Sequence, residues 1–139
     1  MMITRPKVAR LGESEKVSFG PDAFYQALLG DGDTPIFLGI QTSEPGYKTE
    51  VHVHPYVETL FVLDGEAEVW LVGKENEAAR LAVGDCVAMP PDQAHGFRVI
   101  GDKTLRTLGI HASPERIANF VDGSETGAHG YAQHWSETE

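Results

Sequence analysis

Short β-type runs, cut at close and regular spacing by turn residues, are the feature of this sequence that most narrows its fold. Gly and Pro punctuate the chain, so it is read as short elements joined by many turns. Residues 36–43 read as a strand closed by Glu44-Pro45-Gly46, and residues 48–54 alternate polar and apolar with period two. Residues 58–63 form a β-type run ended by Asp64-Gly65, a dipeptide that predicts a hairpin because Gly takes the φ > 0 turn position. In residues 66–72, Ala67, Val69 and Leu71 fall on one face, and Glu66, Glu68 and Trp70 on the other. Residues 73–76 turn, residues 80–83 make a short strand, and Gly84-Asp85 turns the chain into residues 86–89. After the Pro90-Pro91-Asp92 loop, residues 96–100 and 104–111 read as another hairpin about Gly101-Asp102. A turn about every 8–12 residues favours an antiparallel sandwich or barrel over βαβ units, which need helical stretches between strands.

Residues 22–29 are ambiguous between helix and strand. One helix is expected at about 113–122. Ser113 suits the N-cap, Pro114 the first helical position and Glu115 the positive helix start; Ile117, Phe120 and Val121 share a face, and Gly123 ends it. Residues 123–139 are a polar tail. At 139 residues the chain is expected to be a single domain.

Charge and cysteine count restrict the partners. With 11 basic residues against 21 acidic ones the net charge is −10, which argues against nucleic acid and anionic membrane surfaces. No apolar run approaches the ~20 residues of a membrane span. Residues 1–11, with Arg5, Lys7 and Arg10, lack the apolar middle of a signal peptide, so a cytoplasmic location is expected. A lone Cys86 excludes an intrachain disulfide and is read as a buried, inert thiol.

The six histidines separate by position. His52 and His54 stand two apart on a predicted strand, so both side chains point to one face and two imidazoles can converge on one ion. Glu58 follows a bend at Pro55-Tyr56-Val57 that can return its carboxylate to the same side. His95 lies beyond the Pro90-Pro91 loop and begins another strand. Three neutral imidazoles and one carboxylate make a borderline N/O donor set, suited to Fe(II), Mn, Ni, Zn or Cu. A His-x-His pair by itself also fits two ordinary half-exposed strand residues.

From Gly46 to Gly65 the chain reads GYKTEVHVHPYVETLFVLDG, which resembles the first motif of the cupin superfamily: Gly, five residues, His-x-His, three residues, Glu, six residues, Gly. Gly46, His52, His54, Glu58 and Gly65 meet every fixed position. From Gly84, GDCVAMPPDQAHGFRV is similar to the second cupin motif, matching at Gly84, Pro90 and His95. Asp92 stands where the family usually has Gly, and Val99 where it often has Asn. The resemblance covers about residues 35–112. It implies an all-β fold, the double-stranded β-helix or jelly-roll barrel, with a short C-terminal helix added by the reading above. It also implies His52, His54, Glu58 and His95 as ligands of one divalent transition metal (Fe(II), Mn, Ni or Zn). Four protein ligands leave a six-coordinate ion two adjacent positions for a small oxygen-chelating substrate. The function implied is a metal-dependent enzyme, dioxygenase-type ahead of isomerase or lyase, with a non-catalytic sugar- or effector-binding cupin as the alternative. A homodimer is the expected assembly.

Other residues have weaker expected roles. His111 shares a period-two face with Leu105, Thr107 and Gly109, and is a candidate catalytic or supporting group near the metal. Tyr56, between ligands, is a candidate catalytic group at the mouth, or else a core tyrosine. Gln41 and Arg106 are candidates for binding a substrate carboxylate, and Met89 and Phe97 for lining the pocket. Arg98 is expected on the outside, Trp70 at a dimer contact, and His129 and His134 on the surface of the tail.

Overall fold

Period-two alternation becomes strands wherever one face has an interior to fill. The computed structural model describes residues 2–120. Its strands are β1 (Val17–Ser18), β2 (Ala23–Leu29), β3 (Phe37–Ser43), β4 (His52–Val53), β5 (Glu58–Asp64), β6 (Glu66–Leu71), β7 (Ala79–Leu81), β8 (Cys86–Met89), β9 (His95–Ile100), β10 (Leu105–His111) and β11 (Asn119–Phe120). They form two antiparallel sheets, in the orders β1-β2-β3-β10-β5-β8 and β11-β4-β9-β6-β7. β10 shows the alternation most cleanly: Leu105, Thr107, Gly109 and His111 are buried, and Arg106, Leu108 and Ile110 are not. The ambiguous segment at 22–29 is strand β2, paired along β3, so the first sheet starts well upstream of residue 35.

The two predicted hairpins are corners instead. β5 pairs with β10 and β8, whereas β6, immediately after Gly65, pairs with β9 and β7 of the other sheet. Gly101-Asp102 likewise joins β9 of one sheet to β10 of the other. Gly65 does adopt a left-handed φ of 79°. A Cβ there would sit 2.5 Å from the Thr104 carbonyl oxygen, so backbone packs on backbone where the chain changes sheets. Turn chemistry identifies the bend; it does not say whether the flanking strands pair.

The expected helix at 113–122 does not form in its described part. Residues 112–115 bend, and β11 pairs antiparallel with β4, Asn119 opposite Val53 and Phe120 opposite His52. Capping residues make a local case for a helix of less than three turns, but such a helix is marginal unless packing supports it. Here the unpaired edge of β4 supplies strand partners instead. Val121 and the tail histidines His129 and His134 lie outside the described residues. No described helix is long and apolar enough to cross a membrane.

Two apolar clusters fill the space between the sheets. Val62, Met89 and Leu105 of one sheet meet Ala67, Val69, Leu81, Phe97 and Val99 of the other. Phe19, Ala23, Tyr25 and Phe37 form the second cluster, and Tyr47 packs against both. Full burial of side chains such as Val62 and Phe37 contributes roughly 1.5–3 kcal/mol each. Between the clusters lies a buried polar group.

Candidate metal centre

Register brings four histidines and one glutamate together. His52 on β4 stands directly opposite His95 on β9, and Glu58 on β5 stands directly opposite His111 on β10. His54 follows His52 on the same face. All five residues are buried, His54 and His111 at 1% exposure. Such a polar cluster is costly to bury unless it is paired or holds an ion.

The donor atoms of His52, His54, Glu58 and His95 all lie within 4.8 Å of one another, a group that can hold a metal ion. Hydrogen bonds prepare the three imidazoles for it. His52 Nδ1 donates to the Glu50 carbonyl at 2.8 Å, His54 Nδ1 to the Ile117 carbonyl at 2.6 Å, and His95 Nδ1 to the Gln93 carbonyl at 3.0 Å. A carbonyl only accepts, so each Nδ1 carries the proton and each Nε2 is turned toward the shared centre. His54 Nε2 is buried with no hydrogen-bond partner among the described residues, although Glu58 Oε1 is 3.1 Å away. A lone pair facing a carboxylate at that distance is what a cation between them would resolve. The donor set therefore fits a divalent transition metal.

The protonation of the group follows its burial. Burial lowers the His52 pKa to about 3, and the neighbouring His54 adds to this, so His52 is a neutral donor. Burial pushes Glu58 up, but the imidazoles of His54 and His95 close to Oε1, with His111 at Oε2, outweigh it and hold the carboxyl well below the usual range. Burial pulls His95 down, and the Glu58 carboxylate beside it raises it overall.

His111 and Tyr56 stand behind this centre. His111 Nε2 lies 3.3 Å from Glu58 Oε2, and its Nδ1 lies 2.7 Å from the Tyr56 hydroxyl. The carboxylate can only accept, so His111 donates from Nε2 and accepts from Tyr56 at Nδ1. Burial lowers the His111 pKa to about 3 and raises that of Tyr56 to about 12, which keeps both neutral. Tyr56 also accepts a hydrogen bond from the Ile117 amide at 2.9 Å. It is part of the scaffold behind Glu58, away from the cavity lining.

A cavity of about 40 Å³ opens on the ligand group. Gln41, Met89, Phe97 and His111 are among the residues that line it. Arg106 does not. It alternates with Thr107 on β10, so it points to the outer face once Leu105 and Thr107 point in. Thr107, Tyr25, Tyr47, Glu50 and Arg116 line the cavity without having been singled out. Thr107 shares the inward period of His111, a signal that was present. Tyr25, Glu50 and Arg116 come from segments whose path only the tertiary structure sets.

The remaining residues divide. Arg98 is outside, paired to Glu68 at 2.9 Å. Cys86 is exposed, not buried, because the pleat of β8 turns Val87 and Met89 toward the core instead. Trp70 is half-buried, packed on Gly96 with the Lys48 ammonium 5.5 Å from its ring. Asp92, at the position where the cupin motif usually has Gly, has a left-handed φ of 62°.

A family model described as the cupin domain matches residues 39–111. The chain belongs to the cupin family. Among curated proteins no sequence matches this cupin. Solved structures similar to it include KdgF from Halomonas sp., at 22% identity and TM-score 0.66, covering 79% of this chain and 96% of that one. The polyketide cyclase RemF from Streptomyces resistomycificus shares 18% identity at TM-score 0.67, covering 91% of each chain. Oxalate decarboxylase from Bacillus subtilis, a protein with Mn(II) centres, matches at 23% identity and TM-score 0.71. That match covers 81% of this cupin but only 31% of the decarboxylase, so this chain spans about a third of its length. At these identities the likeness is one of fold.

Proposed function

We propose that this cupin is a metal-dependent enzyme acting on a small, oxygen-chelating substrate inside the barrel. The observation that carries the proposal is the convergence of His52, His54, Glu58 and His95, each imidazole with Nδ1 committed to a backbone carbonyl. When bound there, Fe(II), Mn, Ni or Zn would supply Lewis acidity and positions for two substrate oxygens. The protein's own part is to exclude water with Met89 and Phe97, to keep Glu58 ionised, and to hold it through His111 and Tyr56.

Dioxygenase chemistry with Fe(II) is the leading reaction type for this donor set. Isomerase or lyase chemistry is the second reading, favoured by structural neighbours that bear the names decarboxylase and cyclase. Oxygen-electrode and product assays on the Fe(II)- and Mn(II)-loaded protein, with keto acids and enediols, separate the two. Oxygen consumption matching product supports the first, and anaerobic turnover supports the second. Binding without product on either metal contradicts both.

A homodimer belongs to the same proposal. The outer face of the six-stranded sheet carries half-buried Leu38, Ile40, Leu108 and Ile110 beside Phe61, which is 38% exposed. Arg106 and Asp64, opposite in charge and paired in register, edge that patch, so a second copy docked about a two-fold axis meets apolar and charged groups complementary to its own. Sedimentation of the wild type and of Leu108→Glu tests it: a dimer that becomes a monomer is expected, and a wild-type monomer contradicts it.

A further inference from the structure

From Ala112 to Phe120 the chain stays against the barrel. The Ala112 amide donates to the Val57 carbonyl at 3.1 Å, the Ile117 amide to Tyr56 and the Ile117 carbonyl accepts from His54, and residues 119–120 pair with β4. Every one of these contacts is made to the segment 52–57 that carries or adjoins the histidine ligands. Arg116 is thereby fixed beside the metal centre by the backbone on either side of it. Its side chain reaches across to the opposite apolar cluster, with the guanidinium 5.7 Å from the Phe19 ring and 5.9 Å from the Tyr25 ring. It is also part of the cavity lining.

We infer that Arg116 is the anion-recognition residue of this cavity and that the substrate is a small carboxylate. The inference rests on the metal-dependent reading above and names its substrate class. Charge bookkeeping inside the cavity supports it. Among the described residues, the formally charged side chains of the lining are Glu50, Glu58 and Arg116. With a divalent cation held by the ligand group, their formal sum is +1, which one carboxylate neutralises. A planar guanidinium accepts a carboxylate through two parallel hydrogen bonds, so it fixes the orientation of the acid as well as its charge. The cation–π contacts with Phe19 and Tyr25 hold the guanidinium at the cavity before the acid arrives.

Calorimetric titration of the Mn(II)-loaded chain with pyruvate, glycolate and their methyl esters tests this, with metal content measured on the same samples. The wild type is expected to bind the acids at least about tenfold more tightly than the neutral esters. Arg116→Gln is expected to lose that preference while keeping its metal and its melting temperature. Glu50→Gln, which removes one negative charge from the cavity lining, is expected to tighten acid binding. Equal binding of acid and ester by the metal-loaded wild type, or an acid preference intact in Arg116→Gln, overturns the assignment of Arg116 alone. If Mn(II) is not retained, the titration is run on the Fe(II)-, Ni- or Zn-loaded chain, and failure of the wild type to hold any of the four overturns the metal-dependent reading, and this inference with it.

Discussion

Glu58 and His111 face each other across the antiparallel pair β5–β10, with Glu58 Oε2 3.3 Å from His111 Nε2. That leaves Oε1 for the side where His54 and His95 converge. One carboxylate is thus divided between a holding contact and a donor contact. Replacing His111 by Phe keeps the ring against Phe37 but removes the donor to Oε2. Metal affinity is expected to fall about 10–100-fold, the usual loss when a group that orients a ligand is removed. Competition with a chelator measures it, alongside circular dichroism to verify the fold. Unchanged affinity would mean that Glu58 needs no such support.

In metal-stripped protein, acid should destabilise the fold from the histidines first. His52 and His111 have native pKa values of about 3, against 6.5 for the unfolded chain. Between those values the unfolded chain binds protons that the native state refuses, so stability falls as pH drops from about 6.5 toward 3. Glu58, whose native pKa lies well below 4.5, adds to the loss below that pH. His95, raised by the Glu58 carboxylate, works in the opposite direction and partly offsets it. Melting temperatures at pH 7.5, 6 and 5 are expected to decrease in that order, and a flat profile would contradict the buried neutral state of His52 and His111.

Two left-handed positions should respond differently to substitution. Gly65→Ala must place a Cβ 2.5 Å from the Thr104 oxygen at φ 79°, and is expected to destabilise the fold by at least about 2 kcal/mol. Asp92, at φ 62°, should lose about 1 kcal/mol on mutation to Ala and little on mutation to Gly. Urea midpoints at constant slope check both.

These positions also mark what the sequence discloses. The spacing of Gly46, His52, His54, Glu58 and Gly65, with His95, is readable in one dimension because the ligands sit on strands whose period fixes their direction. The pairing of those strands is not. Asp64-Gly65 reads as a hairpin, yet it joins strands of opposite sheets, since the choice depends on which partner is free at each edge. Arg106 and Thr107 are adjacent in sequence, and only the inward register of β10 sends one to the cavity and the other outside. Residues 113–122 carry a helix's capping residues, and the open edge of β4 overrides them in the described part. Arg116 could not be found because its place depends on that override.

The central claim is that His52, His54, Glu58 and His95 hold one transition metal ion. Its most direct test is the metal content of purified and reconstituted protein by inductively coupled plasma mass spectrometry, beside the His52→Ala/His54→Ala variant. About one equivalent of a divalent transition metal in the wild type and none in the variant is the expected result. A folded wild-type protein that retains no metal after reconstitution with Fe(II), Mn, Ni and Zn in turn would contradict it.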